Sequence, residues 1–68
     1  NDPAYAVAQA AQAVDASEVI MGVSLRIGAE TQIEQVAMAW GALGFKPDHP
    51  VKLRVLWPDG RRMEADLT

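Results

Sequence analysis

The feature that most restricts the fold is an alternating pattern near the end of the chain, interrupted by the sequence PDG at positions 58–60. Val51, Leu53, Val55 and Trp57 alternate with Lys52, Arg54 and Leu56, and apolar and polar side chains alternate again through 62–67. This is the period of strands with one buried face. Proline favours the first corner of a tight turn, and glycine favours its left-handed position. The pattern therefore predicts a β-hairpin in which Gly60 has a positive φ.

Residues 17–24, with the sequence SEVIMGVS, form a short apolar run broken only by Gly22. Continuous apolarity is typical of a strand covered on both faces, as in parallel sheets. The short length favours a strand over a helix, because periodicity alone does not separate the two. We therefore expect both faces of this strand to be covered.

Residues 28–45 predict a helix that begins after the N-cap Gly28 and stops at Gly44. Its apolar face is predicted to contain Ile33, Val36, Ala37, Trp40 and Gly44. Four polar side chains are predicted to lie largely elsewhere: Glu30, Gln32, Glu34 and Gln35.

The first 17 residues also predict a helix. Asp2 is suited to accept amide hydrogen bonds as N-cap, and Pro3 fits the first helical position. Alanine, the best helix former, is frequent here, and an apolar stripe is predicted at Val7, Ala11 and Val14.

The predicted order is α-β-α-β-β in one α/β domain spanning residues 1–68. Two strands that flank a helix are expected to lie parallel, and the hairpin adds a third, antiparallel strand. The fold class is therefore a two-layer arrangement of two helices and a three-stranded mixed sheet. The chain opens with NDPAY rather than Met, so we expect a piece excised from a longer protein.

Composition excludes several classes of protein. The chain has no cysteine for a thiolate metal site or a disulfide, and one histidine, His49, which cannot form a histidine-based metal site alone. The net charge of −3 argues against nucleic-acid binding, and no apolar run reaches the roughly 20 residues of a membrane helix. The bases concentrated after residue 45 could contact phosphates or lipid headgroups, although a solvated strand face is the favoured explanation.

The loop between the first strand and the second helix is the candidate ligand site. A helix N-terminus offers free amides, and Arg26 could add a charge-assisted contact to an anion. The candidate residues are Gly22, Ser24, Arg26 and Gly28. No G-x-G-x-x-G or P-loop lysine is present, and a connecting loop in which Gly22 permits close packing is the favoured alternative.

Catalytic chemistry has little support in the sequence. Ser24, Asp48 and His49 are the candidates for a nucleophile relay, but no G-x-S-x-G motif surrounds Ser24. We therefore expect a protein that is not an enzyme and needs no cofactor.

Four segments resemble the C-terminal half of the universal stress protein fold: AVDASEVIMG, VSLRIG, AETQIEQVAMAW and HPVKLRVL. The ATP-binding members of that family carry G-x2-G-x9-G-[ST]. Gly22 matches the first glycine, but Leu25, Gln35 and Val36 stand at the other three positions. The resemblance therefore implies a relative that does not bind nucleotide, and a nucleotide-binding fragment with a divergent loop is the alternative.

The segments MGVSLR, AETQIEQVAMAW and WPDGRR also resemble the cytosolic C-terminal tails of amino acid permeases of the amino acid–polyamine–organocation superfamily, although Gly28 stands where those tails often have Ser-Pro. This resemblance implies a regulatory or assembly domain of a membrane transporter. It would lie on the cytoplasmic side, tethered to the inner membrane through its parent chain. The membrane part of that chain would be a partner.

The sequence further predicts a homodimer. A core of about ten large apolar side chains leaves little margin for a monomer, and open sheet edges recruit further strands. A closed two-fold pairing would remove one edge from each copy without forming fibres.

Overall fold

The computed structural model describes residues 2–44 and 46–68 and confirms the predicted fold class. Its elements are α1 (Pro3–Ala13), β1 (Glu18–Gly22), α2 (Gly28–Ala42), β2 (Lys52–Leu56) and β3 (Arg62–Asp66). Asn1 and Phe45, which fall in the segments predicted as the first and second helices, lie outside the described residues.

The three strands form one sheet in the order β1-β2-β3. β1 runs parallel to β2 with Val19 beside Leu53, and β3 runs antiparallel to β2 with Ala65 beside Leu53. Both pairings were predicted. β2 is therefore the central strand, and β1 and β3 are the two edges.

Both helices pack on one face of this sheet. Leu53 and Val55 of β2 are fully buried beneath them, and the half-buried side chains of β1 and β3 alternate with exposed ones. Ile20 of β1 is 57% exposed, so the expectation of a strand covered on both faces is wrong. The apolar run did not reveal this, because Ile20 points to the uncovered face. Its neighbours there are Arg54 on β2 and, next to that, Glu64 on β3.

The N-cap of α1 is Asp2, as predicted. Its Oδ1 accepts hydrogen bonds from the amides of Ala4 (3.1 Å) and Tyr5 (3.3 Å). Of the predicted apolar stripe, Ala11 is buried and Val7 half-buried, but Val14 is 74% exposed, and the other buried residues of the helix are Ala4 and Ala8. α1 packs on α2, and the side chains that it buries there are alanines.

The buried face of α2 also differs from the prediction. Ala37 is exposed, whereas the buried side chains are Ala29, Gln32, Val36, Ala39 and Trp40. These follow the i, i+3, i+4 spacing of one helix face, which the larger apolar residues alone did not reveal. The helix begins at Gly28, so Ile27 and not Gly28 is the N-cap.

The end of α2 does not use a glycine cap. The helix ends at Ala42, and Gly44 lies beyond it. Lys46 Nζ donates to the carbonyl oxygens of Trp40 (3.0 Å) and Gly41 (3.3 Å), which satisfies carbonyls that a helix end leaves without partners.

The hairpin is confirmed. Gly60 has φ +93°, and the amide of Trp57 donates to the carbonyl of Arg61 at 2.9 Å. The Asp59 carboxylate accepts from the amide of Arg61 at 3.0 Å. This bond lowers the pKa of Asp59, and the Arg61 guanidinium lowers it further.

Candidate functional site

The loop after β1 brings the four candidate residues into one compact turn. Gly22 ends β1, and Ser24 Oγ accepts a hydrogen bond from the amide of Arg26 at 3.2 Å. The amide of Gly28 donates to the carbonyl of Ser24 at 3.1 Å, and Gly28 has φ +77°. The loop therefore turns tightly from β1 into α2, and Gly28 occupies a backbone conformation that favours glycine.

The side chain of Gln32 fills the centre of this turn. Its Oε1 accepts from the amide of Ser24 at 2.8 Å, and its Nε2 donates to the carbonyl of Gly22 at 3.0 Å. Gln32 is only 7% exposed, so its predicted place among the exposed polar residues is wrong. Its amide bonds to the backbone of β1 as a neighbouring strand would.

This arrangement changes what the loop can offer an anion. The Ser24 amide is already bonded to Gln32, whereas Ser24 Oγ accepts a hydrogen bond within the turn and keeps its O–H as a donor. The Arg26 guanidinium is exposed and pairs with no carboxylate in the described parts of the chain. A cavity of about 290 Å³ lies beside it, with Met21 and Val36 among its apolar lining.

The three candidates for a catalytic relay are not brought together. Ser24 lies just after the end of β1, whereas His49 lies near its start. The second placement follows from the amide of Lys52, three residues after His49, which donates to the carbonyl of Ser17. Five strand residues separate the two ends, a distance of roughly 16 Å. His49 Nε2 lies 2.8 Å from Asp15 Oδ1, so its partner is Asp15 and not Asp48.

The His49 ring contacts an acceptor at each nitrogen. Nδ1 lies 3.1 Å from the carbonyl oxygen of Pro50, and Nε2 faces the Asp15 carboxylate. A neutral imidazole can donate from only one nitrogen. The Asp15 bond, followed by the Pro50 carbonyl, therefore raises the pKa of His49 above its usual 6.5.

The uncovered face of the sheet carries a ladder of ion pairs. Arg54 lies at its centre and pairs with Glu18 on β1 and with Glu64 on β3, whose Oε2 is 2.8 Å from Arg54 Nε. That nitrogen has no directed hydrogen bond, so this contact is ionic. The remaining pairs are Arg62 with Glu64 at 3.7 Å and Lys52 with Asp66 at 3.8 Å. These paired side chains comprise three bases and three acids, so the ladder is neutral.

The edge of β3 is open. The amide of Trp57 donates to the carbonyl of Arg61, and the amide of Leu67 donates to the carbonyl of Val51. The odd-numbered residues of β3 therefore direct their backbone groups toward β2. In an antiparallel ladder the intervening residues point their backbone groups outward. These are Arg62, Glu64 and Asp66, and no group in the described part of the chain bonds to their outward amides and carbonyls.

Two kinds of site are absent from residues 2–44 and 46–68. No group of three or more His, Asp or Glu side chains is placed to hold a metal ion. None of the helices in these ranges is long and apolar enough to cross a membrane.

Comparisons with known proteins give no match: no protein-family model, curated protein or solved structure is significantly similar to this chain. The resemblance to universal stress proteins and permease tails therefore rests on the sequence pattern alone.

Proposed function

We propose that this chain is a non-enzymatic assembly domain that acts by forming a symmetric dimer through the edge of β3. The observation that carries the proposal is the row of outward backbone groups at Arg62, Glu64 and Asp66. An unpaired edge of this kind is a template for another strand, and a second copy supplies the same strand.

The charges on β3 favour an antiparallel pairing of two copies. When Glu64 lies on the two-fold axis, Arg62 of each copy lies opposite Asp66 of the other. Opposite charges on facing residues of paired strands are stabilising. The two Glu64 side chains would meet at the axis, but each is already paired with Arg54 and Arg62. If the axis passed through Ala65 instead, Glu64 of each copy would face Asp66 of the other, and two like charges would be opposed.

The setting we propose is the cytosolic tail of an amino acid permease, on the cytoplasmic side of the inner membrane. Dimerisation or docking of the domain would then bias the transporter to which it is tethered. The support is the sequence pattern of the MGVSLR, AETQIEQVAMAW and WPDGRR segments. Sequencing the parent open reading frame tests this setting. About twelve apolar segments of about 20 residues upstream would support it. The absence of such segments would refute it.

Sedimentation equilibrium tests the dimer itself, because self-association depends on concentration. Between about 5 and 500 µM we expect the average mass to rise from that of the 7.3 kDa chain toward twice that value. A single species of monomer mass across the range would overturn the proposal.

The second candidate function is a nucleotide-binding stress protein fragment with a divergent loop. The occupied amide of Ser24 and the Gln32 side chain argue against a phosphate cradle there. Titration with ATP and Mg²⁺, followed by amide shifts from Gly22 to Glu30, separates the two functions. We expect no saturable shifts below about 1 mM, a concentration that corresponds to only about −4 kcal/mol of binding.

A further inference from the structure

The cavity of about 290 Å³ beside Arg26 lies between the loop after β1, the start of α1 and the buried face of α2. Its apolar walls include Met21 of β1, Val36 of α2 and Pro3 of α1. Val36 belongs to the buried core, and Met21 packs against that core. The fold itself therefore fixes the shape of these walls.

The polar side chains of the cavity offer hydrogen-bond donors. Ser24 keeps its O–H as a donor, because its Oγ accepts the bond from the amide of Arg26. Gln32 is 7% exposed, and its Nε2 donates one of its two N–H groups to the carbonyl of Gly22. A second N–H therefore remains. The Arg26 guanidinium adds further donors and a positive charge.

Arg26 is the one charged residue among the nine that line the cavity. Asp2, Glu30 and Glu34 are near lining residues in the sequence but do not line the cavity themselves. The Asp2 carboxylate is engaged as the N-cap of α1, and Glu30 lies in a separate groove on the hairpin side. Arg26 pairs with none of these carboxylates or any other in the described parts of the chain.

We propose that this cavity binds a small monocarboxylic acid with an aliphatic chain. The carboxylate would accept two parallel N–H bonds from the Arg26 guanidinium, a geometry that favours arginine over lysine. The O–H of Ser24 would donate a further bond. The aliphatic chain would lie against Met21 and Val36, where it leaves water.

The size and charge of the cavity select this class of ligand. Its volume is at the small end of the range of about 300–1,000 Å³ for small-molecule sites, which suits an acid of about four to six carbons. A single guanidinium matches a single carboxylate, whereas a nucleotide would bring several negative charges. Inorganic phosphate would leave the apolar walls unused. The inference goes beyond the proposed assembly role, which uses the β3 edge.

A titration of the 68-residue chain with 4-methylpentanoate tests the proposal, at neutral pH and constant ionic strength. We expect saturable shifts of the amide signals from Met21 to Val36, with a Kd of about 1 mM. Two other probes separate the contributions. The neutral 4-methylpentanamide has the same chain without the charge, and acetate has the charge without the chain. Each should bind about tenfold more weakly or worse.

Variants of Arg26 test the charged end of the site. Arg26→Gln should weaken binding about tenfold or more, and Arg26→Lys should weaken it about threefold, because lysine keeps the charge but loses the paired N–H bonds. Lys52→Gln is the control. It removes an exposed base at the opposite end of β2 and should change the affinity by less than about twofold.

A second pair of variants tests the apolar walls. Ile27 lines the cavity and is 40% exposed, so Ile27→Ala should weaken binding of 4-methylpentanoate about threefold. Val14 is 74% exposed at the end of α1 and does not line the cavity. Val14→Ala should leave the affinity unchanged.

Three results would overturn the proposal: no saturable shifts below about 20 mM, equal binding of 4-methylpentanamide, or full binding by Arg26→Gln. Acetate that binds as tightly as 4-methylpentanoate would also overturn it, because the site would then hold an adventitious ion only. Sedimentation equilibrium separates this failure from that of the dimer, since Arg26→Gln should self-associate as the unaltered chain does.

Discussion

The two edges of the sheet expose the same kind of backbone groups, but a side chain bonds to the end of only one of them. At the β1 edge, the Gln32 amide bonds to the carbonyl of Gly22 and to the amide of Ser24. At the β3 edge, the outward groups of Arg62, Glu64 and Asp66 have no such cover among the described residues. The two edge strands are equally long and differ in whether a side chain of a neighbouring helix bonds to their backbone.

The largest expected effect separates the two edges directly. Glu64→Pro removes an outward amide of β3 and leaves the backbone hydrogen bonds to β2 intact, which an edge strand tolerates. It also removes the ion pairs of Glu64 with Arg54 and Arg62. Self-association should weaken about 100-fold or more, measured by sedimentation equilibrium.

Ile20→Pro is the matched control for that experiment, because it removes an outward amide from the β1 edge. It should leave self-association unchanged. If Ile20→Pro abolishes the dimer and Glu64→Pro does not, the roles of the edges are reversed.

The next effect comes from uncovering the β1 edge. Gln32→Ala leaves the partly buried amide of Ser24 and carbonyl of Gly22 without partners, which should cost about 2 kcal/mol in urea unfolding. Gln35→Ala, on a less buried position of the same helix, should cost less than about 0.5 kcal/mol. Equal stability of the two variants would show that the Gln32 bonds contribute nothing.

A smaller effect concerns the turn that positions β3. Gly60 has φ +93°, and a Cβ added to it would meet no other atom within 4 Å, so a side chain there is opposed by the backbone alone. Gly60→Val should lower the free energy of unfolding by about 1 kcal/mol or more, measured by urea denaturation.

Gly22→Val is the control for Gly60, because Gly22 has equal space around it but does not have a positive φ. A valine suits a strand, and this variant should be at least as stable as the unaltered chain. Equal losses from both substitutions would contradict the conformational explanation.

The smallest effect lies at the other end of the sheet, where His49 joins the loop before β2 to the turn before β1. Because its pKa is raised in the folded state by the Asp15 and Pro50 contacts, the charged ring stabilises the fold fully below about pH 6.5. This contribution is lost as the pH rises through the folded pKa. The urea midpoint should therefore fall between about pH 6 and pH 8.

His49→Gln should abolish that pH dependence. The nearby charges are Asp15, Asp48 and Lys46, and none of these side-chain types ordinarily titrates in this range. A decline of the same size in His49→Gln would assign the dependence to another group.

Local chemistry made much of the fold predictable from the sequence. Asp2 and Pro3 start α1 by interactions within one turn, and the PDG sequence sets the hairpin through its own backbone preferences. The burial of a side chain was harder to predict where it depends on whether another element of the fold packs against it. Ile20 is exposed because the helices cover only one face, and the face of α1 that meets α2 buries three alanines and leaves Val14 exposed.

The edge of β1 shows why the candidate site was only partly predictable. The loop residues Gly22, Ser24, Arg26 and Gly28 were identified from their place between a strand and a helix, and they do lie together. Gln32 was assigned to the polar side of α2 by its residue type. The signal that could have found it is its spacing from Val36, four residues later on the buried face. Recognising it requires knowing that the backbone of β1 lies within reach.

The bonds of Gln32 to one end of β1 bear on how many copies the proposed assembly would hold. A copy with two open edges could be extended at both and would grow as a linear polymer. Here Gln32 bonds to the Gly22 carbonyl at the end of β1, so that strand offers a shorter run of free outward groups than β3 does. Two copies joined through β3 would form a six-stranded sheet whose outer strands are both β1. The amide of one glutamine would then shorten the stretch of strand on which a third copy could add.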